Sequence, residues 1–77
     1  MILKQINEKQ HRFILIGLKS SCIHINQRTA MAMLKEIDLV LLPNVNQFTL
    51  LNTVFKINNN LEDQEVVFNF SEKINMN

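Results

Sequence analysis

The alternation of apolar and polar positions is clearest just before the middle of the chain. In residues 22–25 every second residue is isoleucine, the pattern of a strand with one buried face. We therefore predict a strand at residues 22–25 with Ile23 and Ile25 pointing inward. Because side chains two apart on a strand share a face, Cys22 and His24 are expected to lie together on the other face.

Two apolar segments precede this strand. Residues 1–6 are typical of a short strand, and residues 12–18 form a continuous apolar run of the kind found in buried strands. Gly17 within the second run indicates a bulge or a close approach of two backbones. Joined to residues 22–25, these segments predict an N-terminal hairpin or a three-stranded meander.

The segment after this strand shows helical periodicity. Asn26 stands where a helix N-cap accepts a hydrogen bond from a free backbone N–H, and Pro43 disfavours helical geometry in the residue before it. The pattern therefore predicts one amphipathic helix over residues 27–41. The residues on its apolar stripe are Ala30, Met33, Leu34, Ile37 and Leu41.

The second half of the chain contains an ambiguous segment. Residues 45–57 fit a helix through one set of apolar positions and a strand through another. Residues 65–70 alternate as a strand, and residues 58–60 are three asparagines, which tolerate the left-handed backbone angles of a turn. A C-terminal hairpin across this turn is the preferred interpretation. The alternative is an all-α chain in which residues 45–55 are helical.

Together these elements predict a small α+β fold in a single domain spanning residues 1–77, with the helix covering one sheet face. A chain of this length buries little more apolar surface than is needed to offset the entropy of ordering. Cys22 is the only cysteine, which excludes an intramolecular disulfide. Stability is therefore expected to come from good packing or from a homodimer.

The sequence also bears on the cellular location of the protein. The first twenty residues lack a basic start followed by a long apolar region, and the longest apolar run, residues 13–18, covers six residues. A membrane span needs about 20 apolar residues. With one unpaired cysteine as well, the sequence predicts no membrane association and a reducing, cytoplasmic location.

Charge is divided between the two halves. Residues 1–37 carry six Lys or Arg against two Glu, a net +4, whereas residues 38–77 carry two Lys against five Asp or Glu, a net −3. Two interpretations stay open: the halves attract each other within the fold or between protomers, or each half faces a partner of opposite charge.

Candidate chemistry is sparse. Cys22 and His24 are close enough along a strand to touch, but nucleophilic catalysis also needs a third group that orients the base. A role for Cys22 as a small buried apolar residue is the preferred interpretation. One glycine cannot build a Gly-rich phosphate loop, and the Cys and His residues lack zinc-site spacing. The sequence therefore predicts no enzyme, no cofactor and no metal site.

One family resemblance adds a second hypothesis. The opening of the fimbrial-operon (adhesin biosynthesis) transcription regulators resembles residues 13–17, Ser20-Ser21, Ile23-His24, Arg28 and Ala32-Met33. The turn of that family's helix-turn-helix is similar to Phe55, Ile57, Asn58 and Asn59. The resemblance implies a mostly helical DNA-binding protein with a recognition helix after Asn60. The chain departs from the family there, with three acidic residues that would repel phosphate, so no DNA-contacting residue is carried over.

Small size, sparse chemistry and divided charge predict a non-enzymatic interaction protein. Such a protein would act as an inhibitor, adaptor or regulator by binding a partner protein, and a homodimer is compatible with this role. The asparagine-rich and lysine-rich composition is compatible with a phage or mobile-element source. The alternative is a nucleic-acid-binding transcription regulator. The predicted partner-binding residues are the N-terminal cations Lys4, Lys9, Arg12, Lys19 and Arg28.

Overall fold

The computed structural model describes residues 1–70 and 72–73, the last two by their backbone alone. It contains two helices, α1 (Ile2–Leu15) and α2 (Gln27–Lys35). The strands are β1 (Leu18–Lys19), β2 (Cys22–Ile25), β3 (Gln47–Leu50), β4 (Thr53–Ile57), β5 (Val67–Asn69) and β6 (Glu72–Lys73). The predicted α+β class is confirmed, and the all-α alternative is wrong.

Four strands form one mixed sheet in the order β3-β4-β2-β5. Strand β2 is parallel to β4, with Ile23 opposite Phe55, and antiparallel to β5, with Cys22 opposite Asn69. Strands β3 and β4 form an antiparallel hairpin. Strands β1 and β6 pair separately as a two-stranded ribbon.

The core lies between the helices and one face of the sheet. Ile23 and Ile25 of β2 and Phe55 of β4 are buried there, and Phe55 stacks on Phe48 with ring centroids 5.2 Å apart. The helices contribute Leu3, Ile6, Ala30 and Met33 to the same cluster. The sheet therefore has one face packed on the helices, and Cys22 and His24 belong to its other face.

The prediction of strands at residues 1–6 and 12–18 is wrong, because residues 2–15 form the continuous helix α1. Polar residues 7–10 continue the helix, since Leu3, Ile6 and Phe13 repeat at a spacing that brings them to one side. Gly17 does not mark a bulge. Its φ of +85° places it in the left-handed region, where glycine commonly ends a helix.

The predicted strand at residues 22–25 is confirmed, including the inward side chains of Ile23 and Ile25. The Asn26 cap is also confirmed, because its Oδ1 accepts a 2.7 Å hydrogen bond from the Thr29 N–H. The helix is shorter than predicted and ends at Lys35, with Asp38 at a φ of +59° in the turn that follows. Pro43 is therefore not what stops it.

The predicted C-terminal hairpin is wrong in its pairing. The hairpin lies within residues 47–57, where Leu51 and Asn52 form a two-residue turn, and β5 pairs with β2 instead of β4. A strand and its neighbour in sequence are expected to pair. Here β2 lies between β4 and β5, so residues 58–66 connect two strands that do not touch.

The side chain of Glu36, at the end of α2, caps the start of α1. Glu36 accepts hydrogen bonds from the Ile2 N–H at 2.7 Å and the Leu3 N–H at 3.1 Å, which are backbone donors that the helix leaves free. Desolvation raises the pKa of Glu36, but these two hydrogen bonds outweigh it and hold the pKa below its usual value. The carboxylate therefore ties the two helices together.

This contact predicts a loss of stability in acid. Because the pKa of Glu36 is lower in the folded chain than in the unfolded one, its contribution is present above the unfolded pKa and disappears as the pH falls through the folded value. In thermal melts from about pH 7 to about pH 3, the Glu36→Gln variant should lose less of its melting temperature than the wild type. An equal loss in both proteins would contradict this role of Glu36.

Candidate functional site

A shallow groove lies where the end of α1 meets the tip of the β3–β4 hairpin. Its volume is about 240 Å³, and the connection between β1 and β2 also lines it. The lining residues are Gln10, Phe13, Ile14, Lys19, Ser20, Ser21, Leu51, Asn52 and Thr53. The groove is thus built from three chain segments that the sequence does not place together.

One polar side chain fixes the geometry of this groove. The Gln10 amide Nε2 lies 3.3 Å from Ser20 Oγ and 3.3 Å from Thr53 Oγ1, so it can donate to both hydroxyl groups. These contacts join α1 to the β1–β2 connection and to the start of β4. The walls of the groove are therefore held by hydrogen bonds as well as by packing.

Large apolar side chains are exposed at the end of α1 and at the tip of the β3–β4 hairpin. Ile14, Leu15 and Ile16 at the end of α1 and Leu51 at the hairpin tip are between 51% and 71% exposed. We call these four residues the apolar end. Exposed apolar groups that gather in one place mark interaction surfaces, whereas isolated ones are common everywhere.

Leu51 combines exposure with an unfavourable backbone. Its φ is +50° and that of Asn52 is +62°, the left-handed pair that a tight two-residue hairpin turn requires. Asparagine and glycine suit such positions, while leucine costs about 1–2 kcal/mol there. Burial does not offset this cost, because the side chain of Leu51 faces solvent.

The sequence did not predict the apolar end. The apolar run over residues 12–18 is typical of a buried strand, in which every apolar side chain can be covered. A helix of the same residues turns about 100° per residue, so it exposes part of any continuous apolar run. The apolar run is the sequence signal for the apolar end, but it indicates an exposed apolar surface only when residues 2–15 are known to be helical.

The five cations predicted to bind a partner line different grooves. Lys4 and Arg12 line a groove along one side of α1, and Lys9 lines another with Gln64. Lys19 lines the groove beside the apolar end. The fifth cation, Arg28, lies at the start of α2, where its Nη1 is 2.9 Å from Asp63 Oδ2.

The acidic segment after β4 docks on the start of α2. Asn26 Nδ2 donates to Asp63 Oδ1 at 2.8 Å and to the Leu61 carbonyl at 3.2 Å, and Gln64 N–H donates to Thr29 Oγ1 at 2.8 Å. The hydrogen bond from Asn26, followed by that from Arg28, holds the pKa of Asp63 below its usual value. This is the one ion pair between the two oppositely charged halves in the described part of the chain.

The predicted contact between Cys22 and His24 is present, with Cys22 Sγ 3.5 Å from His24 Nε2. The structure adds Asn69 from β5, whose Nδ2 is 2.7 Å from the same ring nitrogen. A catalytic arrangement needs the third group on the other ring nitrogen, where it can orient the base. The three side chains therefore do not form a nucleophile, base and orienting group.

Comparison with known proteins gives no relative: no family model, no curated protein and no solved structure matches the chain. Where the resemblance to fimbrial-operon regulators implies a recognition helix, residues 61–66 form turns and a loop and Val67–Asn69 is strand β5. Neither helix of the described residues has the length and apolar character needed to cross a membrane.

Proposed function

We propose that the chain is a non-enzymatic interaction protein that binds a partner protein through the apolar end. The observation that carries this proposal is Leu51, an exposed leucine kept in a left-handed turn. The hairpin turn requires the left-handed backbone, but it does not require leucine there, and a cost that burial does not offset points to a function of the side chain. Leu51 and Ile14 both line the groove, so the two can contact one inserted side chain of a partner.

The surroundings of the apolar end indicate the chemistry of the partner. Lys19 lines the groove, and Arg12 lies one helical turn before Ile16. A partner surface with an apolar centre and acidic groups around it would match this arrangement. Of the five predicted partner-binding cations, the proposal keeps Arg12 and Lys19 and places Lys4, Lys9 and Arg28 outside the contact.

Leu51→Asn tests the proposal, because this variant should be more stable than the wild type and should bind the partner less well. Asparagine tolerates the left-handed turn, so the free energy of unfolding should rise by about 0.5–1 kcal/mol in urea denaturation. Partner binding should fall at the same time, because the exposed leucine is gone. The binding measurement compares proteins captured by the tagged wild type and variant after nuclease treatment, and size exclusion shows whether the partner is a second copy.

Val40→Asn is the matched control. Val40 is 83% exposed and lies in the loop after α2, outside the groove. The control should retain the captured partner that Leu51→Asn loses. Equal capture by both variants, or recovery of nucleic acid alone without nuclease, would contradict the proposal.

Nucleic-acid binding is the alternative function. It requires clustered cations that neutralise several phosphates. The five N-terminal cations line four separate grooves, and Arg28 is paired with Asp63. This distribution favours protein binding.

A further inference from the structure

Strand β3 forms one edge of the four-stranded sheet, and among the described residues it pairs only with β4. At the start of this pairing the Ile57 N–H donates to the Asn46 carbonyl at 2.8 Å. Hydrogen-bonded positions alternate along an antiparallel pair, so Phe48 is bonded to β4 whereas Gln47 and Thr49 are not. The backbone N–H and C=O groups of Gln47 and Thr49 therefore point away from the sheet.

This outer edge is open. Gln47 and Thr49 are both exposed, and the hydrogen bonds within the described part of the chain leave their four backbone groups free. A row of unpaired backbone groups is a template for pairing with another strand. Edge strands that avoid pairing with other copies of the same protein usually carry a lysine, a proline or a bulge. Residues 47–50 contain no lysine or proline, and their register with β4 is continuous, so β3 lacks all three devices.

The charge of this region favours a second copy of the chain as the occupant of the edge. Residues 39–55 contain no charged side chain, and they include the loop before β3, all of β3 and most of β4. Two copies can therefore meet along β3 without placing like charges opposite each other. The net charge of the whole chain is only +1, so long-range repulsion between copies is also weak. A charged partner strand, in contrast, would find no opposite charge on this edge.

We propose that two copies of the chain form a dimer by antiparallel pairing of β3 with β3 about a two-fold axis. The two four-stranded sheets then become one sheet of eight strands, with the helices of both copies on the same face. Each copy contributes the same surface, as a two-fold interface requires.

The free backbone groups determine the register of this pairing. Gln47 of each copy lies opposite Thr49 of the other, and each such pair exchanges two N–H···O=C hydrogen bonds. Phe48 then faces Phe48 of the second copy across the axis, on the face packed on the helices, where its side chain is half-buried. A shift by two residues would pair Gln47 or Thr49 with a residue outside β3.

The proposed dimer contact is separate from the apolar end. The new hydrogen bonds involve Gln47 and Thr49, whereas Leu51 lies in the turn beyond the end of β3. The dimer therefore does not depend on the partner proposed above, and each can be disproved without the other.

Sedimentation velocity of the full chain tests the dimer. The measurement should run from about 1 μM to about 1 mM, because a short ladder with a small interface associates weakly. We expect the mass to rise with concentration from 9.0 kDa towards twice that value. Amide hydrogen exchange locates the contact, since the N–H groups of Gln47 and Thr49 should become more protected as the concentration rises.

Two double variants test the register. Gln47→Glu combined with Thr49→Glu places carboxylates directly opposite each other in the dimer, so the dissociation constant should rise by at least about tenfold. Both positions are exposed in the single chain, and position 47 lies opposite Lys56 of β4, so the fold accommodates the new charges. The matched control is Gln47→Glu combined with Thr49→Lys. It places opposite charges across the same interface and should dimerise at least as tightly as the wild type.

Circular dichroism of each variant confirms that it is folded before sedimentation. A wild type that stays monomeric over the whole concentration range would overturn the proposal, as would equal association of the two double variants. Amide exchange at Gln47 and Thr49 that does not change with concentration would also overturn it. A dimer that dissociates in Leu51→Asn but persists in the variant with two carboxylates would assign self-association to the apolar end instead.

Discussion

Replacing Phe55 by alanine is expected to remove a large part of the stability of the protein. The side chain is fully buried in the core, opposite Ile23 on β2 and stacked on Phe48 of β3. Truncating a buried phenylalanine costs about 3–5 kcal/mol. A chain of 77 residues has a free energy of unfolding of about 4–12 kcal/mol in total. Urea denaturation followed by circular dichroism measures the loss.

Phe70→Ala is the control for this prediction. Phe70 packs edge-on against Phe13 with ring centroids 5.0 Å apart, but it remains 37% exposed. Its truncation removes less contact and leaves a site that solvent can enter. A cost for Phe70→Ala equal to that for Phe55→Ala would show that the sheet centre is not the main source of stability.

Replacing Asn26 by alanine should have the next largest effect. The variant loses the cap on the Thr29 N–H, which alone costs about 0.5–2 kcal/mol. It also loses the donor to Asp63 and to the Leu61 carbonyl, so the acidic segment is held on α2 only by its contacts with Arg28 and Thr29. We therefore expect the free energy of unfolding to fall by at least about 2 kcal/mol, the upper end of the range for a cap alone.

Two further variants separate these contributions. Asn26→Asp keeps an acceptor for the Thr29 N–H but replaces the donor to Asp63 with a second negative charge, so it should also destabilise the fold. Asn60→Ala changes an exposed side chain and should leave stability within about 0.5 kcal/mol of the wild type. Wild-type stability in Asn26→Asp would show that the contact with Asp63 contributes nothing.

The sequence predicts correctly those parts of the fold that depend on interactions between neighbouring residues. The alternation at residues 22–25 and the N-cap at Asn26 depend on neighbouring residues, and both predictions are confirmed. Helix α1 was missed because residues 2–15 include both an apolar run typical of strands and a polar stretch typical of turns. Its helical form is stabilised by Glu36, a residue far along the chain.

The candidate sites were less predictable because each joins distant segments. The contact between Cys22 and His24 follows from strand geometry, but Asn69 reaches them only through the pairing of β5 with β2. The groove beside the apolar end depends on where the hairpin tip meets α1. No periodicity within one segment contains that information. The five cations were selected as the basic residues of the N-terminal half. They line different grooves in the structure, because the sequence pattern does not show which distant segments meet.

The central position of β2 has a consequence for how the protein folds. This early strand finds its two neighbours only in β4 and β5, near the other end of the chain. The long loops from β2 to β4 and from β2 to β5 must close, at a cost in conformational entropy, before these strand contacts can form. Topologies with such long-range contacts fold slowly. On the ribosome, Ile23 and Ile25 remain without their sheet partners until Phe55 and Phe68 have emerged. Folding of the sheet is thus completed only after residues up to the end of β5 have been synthesised.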